Sequence, residues 1–167
     1  MKNKRAKTNR ITLILLVVVL LAGLSLLLYP TVSDYWNSRH QSRAIASYVD
    51  TVTELDADRY EELLAEARAH NAGLLQDENR FLPDEEDVEY YNSLLNVSGN
   101  GIMGYVEIPD IDVTLPIYHG TSEEVLQTAI GHIEGSSLPV GGESTHCVIS
   151  GHRGLPSARL FTDLDQL

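Results

Sequence analysis

At 167 residues the chain has room for one modest domain and its accessory segments. Its 24 acidic side chains all lie beyond Arg10, opposed there by seven arginines and no lysine, and such a body argues against nucleic-acid binding, which rests on neutralising phosphates with Lys and Arg. Cys147 is the only cysteine, so an internal disulfide is excluded.

In chain order, residues 1–10 carry Lys2, Lys4, Arg5, Lys7 and Arg10 and no acid. Residues 11–29 follow as an apolar run broken only by Thr12, Gly23 and Ser25. As a helix this run is about 28 Å long, enough to cross a hydrocarbon core of about 30 Å. The basic cluster in front predicts a single-pass anchor with a cytoplasmic N-terminus and an extracellular body. A cleaved signal peptide fits less well, because the run is long and leads into Leu28-Tyr29-Pro30 without a small-x-small site. Membrane lipid is thus the first expected partner.

Beyond Pro30 the periodicity predicts an α-helical hairpin over 34–73. Ile45, Tyr48, Val49 and Val52 form one stripe, and Tyr60, Leu63, Leu64 and Ala67 form another. Asp56 is the expected N-cap of the second helix, and Asn71-Ala72-Gly73 its end. Residues 74–98 read as a lid-like or linker segment with an acidic cluster, Asp84-Glu85-Glu86-Asp87. Ser98-Gly99-Asn100-Gly101 marks the boundary of a region spanning 99–167.

That region reads as strands. Gly104–Ile108 and Val113–Tyr118 are the first two, with Pro116 predicting an edge or a bulge in the second. Thr121 to Glu124 has capping-box spacing and opens a short helix through Ala129. Thr145–Ser150 is expected as a short apolar strand, and Phe161, Leu164 and Leu167 as a short helical segment. His152 follows between Gly151 and Gly154, where an imidazole past a strand end suits proton transfer near neutral pH. Arg153 points to the opposite face, as a surface arginine would. His119, His132, His146 and His152 lack the spacing of a metal site, and no cofactor is expected. Cys147, inside the apolar run, reads as a small buried hydrophobe.

Four ordered strings then carry a resemblance: Gly104-Tyr105-Val106-Glu107-Ile108-Pro109, Leu115 to Ser122, Gly131 to Gly142, and Ser150-Gly151-His152-Arg153-Gly154-Leu155-Pro156-Ser157-Ala158. With them the chain resembles class C, pilin-polymerising sortases. The resemblance implies a mostly β fold. It comprises an incomplete sortase-type β-barrel with short helices, preceded by an N-terminal transmembrane helix and the helical hairpin. It implies a cysteine transpeptidase that cleaves LPxTG-like sorting signals and joins the acyl group to a pilin lysine or a cell-wall amine. Pilins or other LPxTG-type surface proteins would be its substrates, and His152 its catalytic histidine. The nucleophilic cysteine of a Thr-Leu-x-Thr-Cys strand and the oxyanion arginine have no counterpart in these 167 residues. The expectation is therefore an N-terminal portion, inactive alone, whose open partial sheet holds His152 near a gap. The alternative is a non-catalytic, membrane-tethered binding or scaffold protein. The class also carries a lid anchored by an Asp-Pro-aromatic motif; here the order is Leu82-Pro83-Asp84, with Phe81 the nearest ring before it.

Overall fold

The computed structural model describes residues 2–167, with side chains from residue 9 onward. The basic side chains of Lys2, Lys4, Arg5 and Lys7 lie outside the described residues. Helix α1 runs without interruption over Lys2–Glu54 and includes Pro30. The expected anchor and the first hairpin helix are therefore one rod. Proline forfeits one intrahelical hydrogen bond, but the apolar run before it and the half-buried stripe after it keep the helix continuous.

Helix α2, Ala57–Leu74, begins at Asp56, whose carboxylate accepts the Arg59 N–H. Its buried face is Leu63, Ala67, Asn71 and Leu74, four positions that share one stripe. The helix ends one residue past the expected Asn71-Ala72-Gly73, and Asn71 is also a clamp: its amide donates to the Leu138 carbonyl at 3.1 Å and accepts the Leu138 N–H at 2.7 Å. Tyr60, expected on the buried stripe, is exposed.

Helix α3, Glu85–Ser93, occupies the segment expected to lack regular structure. A capping box explains it. Asp84 accepts the Glu86 and Asp87 N–H groups at 2.9 and 3.0 Å, and Asp87 reaches back to the Asp84 N–H. Glu85, Glu86 and Asp87 also sit where the helix dipole favours negative charge.

Four strands form one open sheet in the order β1 (Ile102–Ile108), β2 (Val113–His119), β3 (Ile130–His132), β4 (Ile149–Ser150). β1–β2 and β3–β4 are antiparallel and β2–β3 is parallel. The strands have 7, 7, 3 and 2 residues against helices of 53, 18, 9 and 4. The expectation of a mostly β chain is corrected: by length the molecule is mainly helical, because α1 alone outweighs the sheet. β2 is an interior strand rather than the edge that Pro116 suggested. β3 joins it only from Ile117 onward, so Pro116 sits where no β3 residue needs its missing N–H. The bulge lies in β1, between Ile102 and Gly104.

The short helix α4, Glu123–Leu126, is capped by Ser122 rather than Thr121. The core joins Tyr91, Leu94, Met103, Val113, Leu115, Ile117, Ile130, Leu138, Leu160 and Phe161, so α3, the sheet and the C-terminal loops share one apolar interior. Leu164–Gln166 is a single 3-10 turn.

Candidate functional site

His152 lies two residues beyond the edge strand β4. Gly151 is what lets the chain pass there: a Cβ on it would meet Ile130 Cγ2 at 2.6 Å and Phe161 Cδ2 at 2.9 Å. The backbone is then turned back on itself. Phe161 N–H donates to the His152 carbonyl at 3.2 Å, and the Gly154 N–H, at φ 73°, donates to Thr162 Oγ1 at 3.0 Å. Arg153 pairs with Asp165 at 2.6 Å at the surface, and the exposed Arg159 with the partly buried Asp163. The His152 ring is exposed and makes no hydrogen bond among the described residues. Its two nitrogens are thus open to a ligand, while its backbone is fixed by a compact loop.

Cys147 departs from expectation. The strand is shorter than the apolar run, starting only at Ile149, and Cys147 is exposed rather than buried. The chain around it still removes enough water to push its thiol above the ordinary value. A nucleophilic thiol needs the reverse shift, so exposure does not make this one reactive.

His132 and Tyr91 form a buried polar network that spacing did not reveal. His132 is fully buried, and burial lowers its ring below the usual histidine range, outweighing the opposing hydrogen bond with the Ser137 carbonyl. Nε2 lies 2.9 Å from that carbonyl, which requires an N–H there, and Nδ1 lies 2.9 Å from the Tyr91 hydroxyl. The same hydroxyl accepts the Gly120 N–H at 3.0 Å. Burial pushes the Tyr91 phenol far up, with Gly120 partly opposing. His119 is also engaged, its ring nitrogens 2.9 and 2.7 Å from the Gly101 and Leu94 carbonyls. Two of the histidines thus brace the fold. Among the described residues no group of three His, Cys, Asp or Glu is arranged to hold a metal.

A concavity of about 350 Å³ lies between α2, α3 and the loop after β3, lined by His70, Asp87, Tyr90, Tyr91 and Glu134. Burial raises the Glu134 carboxyl, with Asp87 adding to it, and Glu134 Oε1 is buried without a hydrogen-bond partner. Asp84, the aspartate of the expected lid anchor, spends its carboxylate on capping α3. Leu82 and Phe81 beside it are exposed.

Comparison with known proteins gives a consistent result. Residues 106–167 match the sortase domain model. Sortase C1 from Streptococcus agalactiae is 50% identical, with a TM-score of 0.71 over 75% of this chain and 65% of that one. Streptococcus pneumoniae sortase C is 46% identical, TM-score 0.64, over 75% and 63%. A lid mutant of the S. agalactiae enzyme is 40% identical, TM-score 0.60, over 74% and 62%. No curated protein sequence matches. The chain therefore spans about 65% of the length of the first of these solved relatives.

Proposed function

From the premise that this chain belongs to the sortase family, we propose that it forms the histidine-bearing part of a membrane-anchored cysteine transpeptidase of the class C kind. The observation that carries the proposal is His152: an exposed imidazole with no protein partner, held on a tight loop past an edge strand. In this reading a thiolate from a Thr-Leu-x-Thr-Cys strand attacks the Thr–Gly carbonyl of an LPxTG-like signal. The C–N bond breaks, a thioester forms, and the departing glycine amine takes a proton from the His152 imidazolium. The neutral imidazole then accepts a proton from the incoming lysine or cell-wall amine as that nitrogen attacks the thioester and expels the thiolate, which restores the thiolate–imidazolium pair. An arginine supplied with the cysteine segment steadies the oxyanion. Cys147, with its raised thiol, has no part in this chemistry.

The anchor reading is supported by an apolar stretch long enough to cross a membrane within α1. The five basic residues ahead of it favour a cytoplasmic N-terminus and an external body. Residues 74–98 are proposed as the lid, with α3 as its rigid element and a site of attachment other than Asp84.

The test follows product mass. The anchored chain, supplied with a segment bearing the Thr-Leu-x-Thr-Cys string and its arginine, is given an LPxTG-type peptide and a lysine-bearing acceptor. The acceptor should gain the peptide up to its threonine, with the glycine-led remainder released. Binding of the peptide with neither transfer nor hydrolysis would overturn the proposal. It would favour the tethered binding protein instead, a reading supported by the raised thiol of the sole cysteine.

A further inference from the structure

The rod α1 fixes how far the His152 loop can stand from the membrane. The apolar stretch ends at Tyr29, and the next residues of the same helix grip that loop directly. Asp34 Oδ1 accepts the Arg159 N–H at 2.7 Å, and Asn37 Nδ2 donates to the Ser157 carbonyl at 2.7 Å. One turn further, Gln41 donates to the Thr128 carbonyl at 2.5 Å, just ahead of β3. With a rise of 1.5 Å per residue, Asp34 stands about 7.5 Å beyond Tyr29 and Asn37 about 12 Å. The headgroup layer on one side of a bilayer is about 5–8 Å thick. A bend at Pro30 changes the direction of the rod but cannot lengthen this distance.

The surface chemistry at that level agrees. Tyr35 and Trp36 are 60% and 65% exposed, and the Arg39 guanidinium lies 5.4 Å over the Tyr35 ring. Aromatic and basic side chains of this kind favour the membrane–water interface. Charge is also distributed unevenly. Arg39, Arg153 and Arg159 balance Asp34, Asp163 and Asp165 at this end, whereas the rest of the body beyond Arg10 has 21 acids against four arginines. A balanced end is repelled less by an anionic headgroup surface than the acidic remainder of the body.

We propose that the face made by Tyr35, Trp36, Arg39 and the 153–159 loop lies against the phospholipid headgroups of the membrane that α1 crosses, so that His152 works at the membrane surface. The proposal rests on α1 being the anchor. The test uses the full 167-residue chain in vesicles of phosphatidylcholine and phosphatidylglycerol (3:1) carrying a headgroup-attached nitroxide lipid. Flotation with the vesicles reports the anchor separately. In a Cys147→Ser background, a fluorophore is placed on Ser157→Cys or, as the distal reference, on Glu54→Cys. Glu54 is about 37 Å along the rod from Tyr29. Quenching at position 157 should exceed that at 54 by at least threefold, and the sole tryptophan, Trp36, should be quenched in the unmutated chain. Cutting the two ties (Asp34→Ala with Asn37→Ala) should lower quenching at 157 and leave Trp36 unchanged. Floated protein with equally weak quenching at 157 and 54 would overturn the proposal. Failure to float would overturn the anchor reading beneath it.

Discussion

Single residues differ here in what their surroundings allow them to do. Two histidines, His132 and His119, have both ring nitrogens within hydrogen-bond distance of neighbours, whereas the exposed ring of His152 makes no hydrogen bond among the described residues. The sign of the His132 shift sets a pH dependence. Burial holds its folded value below the unfolded one, so the unfolded chain binds the extra proton first. Stability from keeping His132 neutral is present above about pH 6.5 and is lost as pH falls through the folded value. Thermal melts between pH 7 and 5 should show the loss, and His132→Gln, which cannot titrate, should flatten it. Tyr91→Phe removes the group shared by His132 and Gly120. It should cost about 1–3 kcal/mol in chemical denaturation, the usual penalty for orphaned buried polar groups. For Cys147 the raised thiol predicts slow alkylation at pH 7, accelerating only above the ordinary cysteine range. Alkylation at neutral pH as fast as that of a catalytic thiol would contradict this assignment.

At the scale of elements, the parts that read clearly from sequence were those in which local chemistry and tertiary packing agree. β1 and β2 extend only one or two residues past their predicted bounds, because their flanking turns and Pro109 punctuate them. Asp56 caps α2 where its spacing placed it. The misreadings have physical causes. Pro30 looks like a helix stop, yet one missing hydrogen bond is offset when an apolar rod continues on both sides. α3 is too short and too acidic to show a stripe, and its stability comes from the Asp84–Asp87 capping box. Cys147 lies in an apolar run of which only Ile149–Ser150 finds a ladder partner, so the rest is left at the surface. The Tyr91–His132 contact joins residues 41 apart in sequence, beyond any local pattern. The proposal for His152 rests on the four motif strings more than on its spacing. Gly151 is the element-scale test of its placement. Gly151→Ala should force Ile130 and Phe161 apart, cost about 1–3 kcal/mol by overpacking, and lower activity by moving His152. An unchanged melting temperature would show that the loop is looser than described.

For the whole molecule, one continuous helix links a stretch long and apolar enough to cross a membrane to the sheet domain, so an anchor there would be coupled mechanically to the site geometry. The sheet is open, with β1 and β4 at its edges, and His152 follows the β4 edge. The chain covers about 65% of the S. agalactiae sortase C1 structure, and the chemistry proposed requires a nucleophilic thiol and an oxyanion arginine beside His152. The central claim is that His152 moves the proton in that chemistry. The most direct measurement is single-turnover acyl transfer from an LPxTG-type peptide by the anchored protein supplied with its cysteine segment, comparing His152 with His152→Ala at saturating peptide. The account predicts a rate about 10²–10⁴-fold lower for the alanine variant, with peptide affinity little changed. Equal rates for the two proteins would contradict it.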